Sequence, residues 1–451
     1  MPKPRIFRIA GIASLTAVAL LSGCTASPVE PDPELVSVNL SGSYPVGGAG
    51  WAGVSADGSV VAFASGSSDL VAGDNNGVSD IFVRDRHTGQ TTRVSVASDG
   101  TEANDNSTGW TPGPALSADG RFVAFSSFAS NLVPGDTNGV QDVFVHDRQT
   151  GETTRVSVAS DGTQGDLPSL LPGISADGRY VAFYSSATNL VPGDTNRLRD
   201  TFVHDRLTGQ TTRVSVASDG SQGEFYRDWS PIVESAPSFS ADGRYVAFLS
   251  LASNLVPGDT NKGGDVFVHD RVTGVTSLVS ASLSDEPGDL GSLTPALSAD
   301  GRYVVFASTA TDLVADVPPT SSALPSVYVR DLQANSTRLV SQNWSGTERV
   351  QGFVGSISGN GRYVTWDSDS DQVVFGLAPG GGRSYVTDLW SGVTKVIAPD
   401  AIAGRTVLRS GWSKVSTDGT TVVFDALLNS ATGNPNYPPP GSAVFAVGLP
   451  N

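Results

Sequence analysis

One tetrapeptide, Ser-Ala-Asp-Gly, returns along the chain at a nearly constant interval, and this repetition constrains the fold more than any other feature. Its copies begin at Ser55, Ser117, Ser175, Ser240 and Ser298, and the related sequences SGNG and STDG begin at Ser358 and Ser416. The repeating unit is therefore about 60 residues long and occurs seven times. A fixed repeat of this kind predicts a set of identical supersecondary units packed side by side.

Each unit contains the signals of four short strands, which we letter A to D. Strand A ends at the serine, as in PALS (114–117), and the Asp-Gly pair that follows favours a tight hairpin turn. Strand B, as in RFVAF (121–125), and strand C, as in DVFVHD (142–147), are rich in β-branched and aromatic residues. Strand D, as in TRVSV (154–158), closes the unit. The sequence therefore predicts an all-β fold, a seven-bladed β-propeller of four-stranded antiparallel blades over residues 35–451.

The order SADGRYVAF, DVFVHD and TGxTTRVS resembles the WD40-like (PD40) repeat of TolB-type propellers. The resemblance covers about residues 35–447 and supports the fold more strongly than any function. It implies a binding or scaffold protein whose partner is a protein, a peptide or a glycan of the cell envelope. It does not imply an enzyme.

The last unit lacks a D strand, because the chain ends soon after its third strand, SAVFAV (442–447). The segment LVSVNLSG (35–42) matches the D-strand segment RVSVASDG of the other units. We therefore expect residues 35–40 to complete blade seven. Such a closure would remove the free edge of the last sheet.

The N-terminus has the pattern of an export signal. Three basic residues precede an apolar run at 9–21, which is too short to span a membrane comfortably. The sequence LSGC (21–24) resembles the lipobox of bacterial lipoproteins and contains the only cysteine. We expect a signal peptide at 1–23, a lipidated Cys24 and a Pro-rich tether at 24–34. The protein would be exported and anchored outside the cytoplasm, on the cell surface or in the periplasm; the alternative is an ordinary secretory signal.

The formal net charge is −17, and removal of the predicted signal peptide would leave about −20. Nucleic acids and anionic membrane surfaces attract basic proteins, so this charge argues against both as partners. The only membrane attachment that we expect is the lipid on Cys24. A strongly acidic surface is compatible with bound cations.

Four units keep the pattern Asp-x-Asn-x-x-x-Asp in the loop between strands B and C. The residues are Asp74, Asn76, Asp80, Asp136, Asn138, Asp142, Asp194, Asn196, Asp200, Asp259, Asn261 and Asp265. Carboxylate and amide oxygens suit Ca²⁺, which would also relieve repulsion between the two carboxylates. The alternative is structural, since Asp and Asn commonly bond to the backbone of their own loop, and Asp142 could cap strand C. Both interpretations remain open at this stage.

The connections between strand D and the next strand A depart most from the repeat, and they carry aromatic residues. These are Trp110, Phe225, Tyr226, Trp229 and Trp344. The strand order places these connections and the B–C loops on one face and the tight turns on the other. Aromatic side chains among polar groups predict a surface that binds a partner, whereas the alternative is that they cover a blade edge or the channel mouth.

Nothing in the sequence clearly indicates an active site. His146, His204 and His269 occupy one repeated position of strand C, so we expect packing between blades rather than convergence. Oligogalacturonate lyases are similar propellers that gather histidines around an axial metal, and this chain has no such set. We therefore predict a non-catalytic binding or scaffold protein. The alternatives are a glycan lyase or glycosidase with an axial site, and a structural envelope protein.

Overall fold

The computed structural model describes residues 32–107, 113–224, 235–261, 263–315, 324–377, 381–429 and 441–449. The predicted signal peptide and Cys24 lie outside these ranges. In the part of the chain that is described, the regular structure consists of strands, and no helix is long and apolar enough to cross a membrane.

The strands form seven antiparallel sheets, the blades, which we number in chain order. Strand β1 (Glu34–Leu35) precedes them. Blade 1 contains β2 (Ala49–Val54), β3 (Val60–Ser65), β4 (Asp80–Asp85) and β5 (Gln90–Arg93). Blade 2 contains β6 (Ala115–Leu116), β7 (Phe122–Ser127), β8 (Asp142–Asp147) and β9 (Thr153–Arg155). Blade 3 contains β10 (Ser169–Ile174), β11 (Tyr180–Ser185), β12 (Asp200–Asp205) and β13 (Gln210–Arg213). Blade 4 contains β14 (Ser238–Phe239), β15 (Tyr245–Ser250), β16 (Asp265–Asp270) and β17 (Val275–Leu278).

Blades 5 and 6 follow the same plan, whereas blade 7 has a short extra strand before its strands A to C. Blade 5 contains β18 (Ser292–Leu297), β19 (Tyr303–Ser308), β20 (Ser326–Asp331) and β21 (Ser336–Leu339). Blade 6 contains β22 (Phe353–Ile357), β23 (Tyr363–Ser368), β24 (Arg383–Asp388) and β25 (Val393–Val396). Blade 7 contains β26 (Ala401–Ile402), β27 (Arg405–Val415), β28 (Thr421–Leu428) and β29 (Ser442–Gly448). In blades 1 to 6 the four strands pair in chain order, which confirms the predicted seven-bladed propeller.

The N-terminal strand joins the last blade, as predicted. Strand β1 pairs with β29, with Glu34 opposite Ala446 and Leu35 opposite Phe445. The N–H of Val36 donates to the carbonyl of Val444 at 2.8 Å and extends this pairing. The outer edge of blade 7 is therefore covered by a strand from the other end of the chain.

Strands B and C are buried on both faces because each blade packs between two others. In every blade, an aromatic ring of strand B stacks on one of strand C, with ring centroids 4.9–6.1 Å apart. The pairs are Phe63–Phe82, Phe125–Phe144, Phe183–Phe202, Phe248–Phe267, Phe306–Tyr328, Trp366–Tyr385 and Phe424–Phe445. These cross-strand pairs explain why the two strands lack the alternation of a half-exposed sheet.

The glycine of each A–B turn joins its blade to the preceding one. All seven have φ between +67° and +76°, a conformation that favours glycine. A Cβ at any of them would lie only 2.2–3.0 Å from the first strand B residue of the preceding blade. The contacts are Gly120–Val60, Gly178–Phe122, Gly243–Tyr180, Gly301–Tyr245, Gly361–Tyr303, Gly419–Tyr363 and Gly58–Thr421. The last contact joins blade 1 to blade 7, so the set forms a closed circle.

Main-chain hydrogen bonds near the axis reinforce this circle. The N–H of Ala56 in blade 1 donates to the carbonyl of Ala118 in blade 2 at 2.9 Å. At the junction of the two chain ends, the N–H of Asp418 in blade 7 donates to the carbonyl of Ala56, also at 2.9 Å. The ring is thus closed at its inner edge by backbone bonds as well as at its outer edge by strand β1.

We predict that Gly178→Ala destabilises the protein more than Gly209→Ala does. Both glycines have nearly equal φ values, +72° and +73°, so both variants have the strain of a left-handed residue, about 1–2 kcal/mol. Only Gly178 has a neighbour, Phe122, within 4 Å of the added Cβ, and the overpacking costs about 1–3 kcal/mol more. Thermal and urea unfolding of both variants would measure the difference. Equal losses would contradict the proposed role of the contact.

We also predict that removal of residues 32–38 lowers the melting temperature sharply, because it exposes the edge of β29 and the side chains that β1 covers. A chain that begins at residue 32 is the matched control, since it keeps β1. Differential scanning calorimetry would compare the two. Identical melting curves would show that β1 does not stabilise the ring.

Candidate functional site

The two faces of the propeller differ in the segments that they carry. The A–B and C–D turns lie on one face, which we call the turn face. The B–C loops and the D–A connections lie on the other, which we call the loop face. In blade 1 these two segments are bonded to each other, since Asn76 Nδ2 donates to the Ala103 carbonyl at 3.1 Å. The predicted cation residues and Trp344 belong to segments of the loop face.

In blades 1 to 3, an arginine of strand D lies between the two aspartates of the predicted cation motif. In blade 2, Arg155 Nη1 is 3.0 Å from Asp136 Oδ1, 3.4 Å from Asp142 Oδ2 and 3.0 Å from Gln164 Oε1. The arginine side chain is only 10% exposed. The equivalent groups are Arg93 with Asp74, Asp80 and Glu102, and Arg213 with Asp194, Asp200 and Gln222. In these three blades, the guanidinium group of an arginine therefore balances the negative charge of the two aspartates.

The asparagine of the motif turns its amide nitrogen toward the buried aspartate. Asn138 Nδ2 donates to Asp142 Oδ2 at 2.8 Å and to the Gly165 carbonyl at 3.0 Å. Its Oδ1 accepts from the N–H of Val140, within its own loop. Asn76, Asn196 and Asn261 make the same contacts. These asparagines hold the B–C loop against the D–A connection, and their side-chain oxygens already accept a hydrogen bond.

Blade 4 keeps the two aspartates but has Leu278 at the position of the arginine. In the described part of the chain, no Lys or Arg nitrogen forms an ion pair with Asp259 or Asp265. Burial raises the pKa of Asp265 to about 7 and also raises the pKa of Asp259. In blade 2, the charge of Arg155 opposes the same effect of burial on the pKa of Asp136.

An exposed aromatic pair lies on the loop face where blades 5 and 6 meet. Trp344, in the D–A connection after blade 5, is 47% exposed, and Phe375, in the B–C loop of blade 6, is 62% exposed. Their rings meet edge to face with centroids 5.0 Å apart. The N–H of Trp344 donates to the Gln372 carbonyl at 2.9 Å, which joins the two segments. We call Trp344 and Phe375 the aromatic patch.

Of the aromatic residues predicted to bind a partner, Trp344 is the one that the structure describes. Trp110, Phe225, Tyr226 and Trp229 lie outside the described ranges. Sequence reasoning missed Phe375, because the B–C loop of blade 6 has lost the Asp-x-Asn pattern that drew attention to the other loops. The available signal was an aromatic residue beside glycine in a polar loop.

The axial channel is mainly apolar where the described residues line it. Each blade contributes the residue before its tetrapeptide serine. These residues are Val54, Leu116, Ile174, Phe239, Leu297, Ile357 and Val415. They line a cavity of 290 Å³, in which Lys414 is the one charged residue of the described lining. Lys414 Nζ donates to the Gly355 carbonyl at 2.5 Å, and burial lowers its pKa.

Two buried carboxylates depart from the repeat at the same position of strand B in blades 6 and 7. Asp367 Oδ2 accepts from the N–H of Trp412, and Asp425 Oδ2 accepts from the N–H of Trp51, at 2.8 and 2.7 Å. Both tryptophans belong to the next blade and have positive φ, +55° and +56°. Burial raises the pKa of both carboxyls. Each carboxyl thus holds a bulge in the inner strand of its neighbour.

The histidines do not converge on a site. His146 Nδ1 lies 2.9 Å from Thr153 Oγ1, which donates to the Val96 carbonyl of the preceding blade. His204 and His269 repeat this arrangement with Thr211 and Thr276. Burial lowers the pKa of all three histidines. Within the described ranges, no group of three or more His, Cys, Asp or Glu residues is placed to hold a metal ion.

No family model and no curated protein matches the sequence. Solved structures give a likeness of fold. A manganese complex of oligogalacturonate lyase is 13% identical, with a TM-score of 0.50 over 95% of this chain and 98% of the lyase. TolB from Acinetobacter baumannii is 14% identical, with a TM-score of 0.40 over 82% of this chain and 76% of TolB. A putative TolB from Agrobacterium tumefaciens is 17% identical, with a TM-score of 0.37 over 64% of this chain and 79% of that protein. At these identities, the likeness concerns the propeller fold and not its function.

Proposed function

We propose that this protein is an extracytoplasmic propeller that binds a protein, peptide or glycan of the cell envelope through its loop face, without catalysing a reaction. The aromatic patch of Trp344 and Phe375 is the observation that carries the proposal. The export signal and the lipid on Cys24 remain predictions from the sequence. Both would put the binding face outside the cytoplasm.

The aromatic patch has the chemistry of a binding surface. Its two large rings remain about half exposed to water. Aromatic residues dominate the binding energy of many interfaces. The backbone at Trp344 is fixed by the bond to Gln372, and Asn343 Oδ1 accepts from the N–H of Thr347 at 2.9 Å. A surface that is already ordered loses less conformational entropy when a partner binds.

We expect the same binding face to continue around the ring. The connections that carry Trp110, Phe225, Tyr226 and Trp229 join strand D of one blade to strand A of the next, as the connection of Trp344 does. Their roles in binding remain predictions. A partner that spans several blades would meet irregular connections, whereas the turn face presents nearly identical turns.

The enzymatic alternative, a glycan lyase or glycosidase with an axial site, has less support. The fold likeness to a manganese-bound lyase does not carry a function at 13% identity. The described channel lining is apolar apart from Lys414 and small polar groups, and the histidines lie within separate blades. Catalysis would need converging acid, base or metal-binding groups at the axis.

We predict that the double variant Trp344→Ala/Phe375→Ala reduces capture of the partner from native envelope extracts at least tenfold, because loss of an aromatic anchor commonly costs about 2 kcal/mol or more. Trp390→Ala is the matched control. Trp390 is 68% exposed but lies in a C–D turn of blade 6, on the opposite face. Quantitative pull-down with the three proteins at equal loading would measure the effect.

Unchanged capture by the double variant, or an equal loss with Trp390→Ala, would contradict the assignment of binding to this patch. If the unaltered protein captures no partner, the structural alternative gains support. Release of modified oligosaccharide from an envelope glycan would instead favour the enzyme.

A further inference from the structure

We propose that the cavity in the axial channel binds a small amphipathic carboxylate, a molecule with an apolar body and one carboxylate head group. Lys414, Thr294 and Ser235 hold the head group, and the apolar wall of the channel contacts the body. The site is separate from the aromatic patch, so this proposal does not depend on the proposed binding function.

The cavity lies on the loop-face side of the channel. Strand A of each blade runs from the loop face to the turn face and ends at the residue before the tetrapeptide serine. These seven residues, from Val54 to Val415, line the cavity of 290 Å³, and we call them the apolar ring. Six of them also line a second cavity of 130 Å³, whose other lining residues, such as Ala56 and Ala118, follow the ring toward the turn face. The apolar ring therefore forms the floor of the larger cavity.

Blade 7 breaks the repeat inside this cavity. In the other six blades, the position two residues before the tetrapeptide serine has a small side chain or none, with Gly53, Ala115, Gly173, Ser238, Ala296 and Ser356. Blade 7 has Lys414 there, and its Nζ donates to the Gly355 carbonyl of blade 6 at 2.5 Å. An ammonium group has three protons to donate. Because Lys414 lines the cavity, a bound molecule can accept from this group as well.

Two hydroxyl groups of the same cavity have no hydrogen-bond partner among the described residues. Thr294 in blade 5 is 6% exposed, and its Oγ1 is buried. Ser235, shortly before β14 of blade 4, has a buried Oγ that likewise has no partner in the described ranges. Nearly all buried polar groups of native structures are hydrogen-bonded. Since both residues line the cavity, a molecule inside it can supply the missing partner.

The three polar groups select a carboxylate. Each of them can donate a hydrogen bond, and an ionised carboxylate only accepts, with two oxygens that can take several donors. Burial lowers the pKa of Lys414, an effect that the charge of Asp367 opposes, and a bound carboxylate would favour the charged ammonium group further. The described lining offers one cationic group, which matches the single charge of a carboxylate better than the charge of a phosphate, about −2.

The rest of the lining suits an apolar body. In the described lining, the side chains of blades 1 to 3 are all apolar, with Ala52, Pro114 and Pro172 above the apolar ring. The polar side chains belong to blades 4 to 7 and lie nearer the loop face than the ring does. A mainly apolar pocket with a few polar groups is typical of small-molecule sites. The head group therefore lies toward the loop face, and the body extends to the ring.

Calorimetric titration with octanoate tests the proposal, and we expect one site per chain. Octan-1-ol has the same alkyl chain without the charge, and it should bind at least tenfold more weakly because it loses a hydrogen bond between charged groups. Lys414→Met should lower the affinity for octanoate at least tenfold and leave the affinity for octan-1-ol nearly unchanged. Lys395→Met is the matched control, since Lys395 lies in the outer strand β25, opposite Val386.

A second variant, Thr294→Val, tests the hydroxyl group. Valine has the shape of threonine and is also β-branched, so the two residues have the same backbone cost at φ +52°. We expect the affinity for octanoate to fall several-fold. The melting temperature without octanoate should stay equal or rise, because the variant removes a buried hydroxyl that has no partner in the described chain. Melting curves of all the variants also verify folding.

No binding of octanoate by the unaltered protein, or undiminished binding by folded Lys414→Met, would overturn the proposal. An equal loss in Lys395→Met, or an unchanged affinity in Thr294→Val, would contradict the position of the head group. Tighter binding of octyl phosphate than of octanoate would contradict the choice of a carboxylate. Titration with octanoate involves no envelope partner, so its outcome is separate from that of the pull-down.

Discussion

The contact between one blade's turn glycine and the first strand B residue of the preceding blade is the constraint on which the ring depends. It needs two properties of glycine at once, a positive φ for the hairpin and the absence of a Cβ beside an incoming side chain. The repeat supplies Asp-Gly or Asn-Gly at all seven places, so each blade meets its neighbour through an equivalent contact. Five of the seven glycines meet an aromatic ring, Gly120 meets Val60, and Gly58 meets Thr421 at the junction of the chain ends. The circle closes there with the help of the Asp418–Ala56 backbone bond and of strand β1.

Within this ring, repeated polar residues serve the blades themselves. The aspartate of the A–B turn accepts from its own backbone, as Asp177 does from the N–H of Arg179. Arg179 in turn holds Asp205 of the C–D turn by two bonds, at 2.9 and 2.7 Å, and lowers the pKa of that carboxyl. The strand C histidines join neighbouring blades through threonine hydroxyls. Chemistry at an individual site therefore has to come from positions where the repeat is broken.

The sequence was sufficient to predict the blades, their number and the closure, because the Asp-Gly turns and the apolar B and C strands are local signals with a constant period. Local sequence patterns did not predict the ion pairs between the strand D arginines and the aspartates of the B–C loops. Arg155 lies 13 residues beyond Asp142, and the two meet only through the pairing of strands C and D. Such patterns also missed Asp367 and Asp425, whose partners are backbone N–H groups of the next blade. Contacts between blades depend on the geometry of the ring, and a short sequence motif cannot predict them.

Breaks in the repeat take three physical forms. Where a carboxylate takes the place of an apolar side chain, as at Asp367, the N–H of Trp412 and the hydroxyl of Ser413 in the neighbouring blade donate hydrogen bonds to it. Where the arginine of the polar cluster is replaced by an apolar residue, as at Leu278, the new side chain packs against the cluster of Phe248 and Phe267. The third form is the aromatic patch, whose residues Trp344 and Phe375 lie in loops between the paired strands. A search for function in such a repeat protein should therefore compare each blade with its sisters and follow the residues that lack a counterpart.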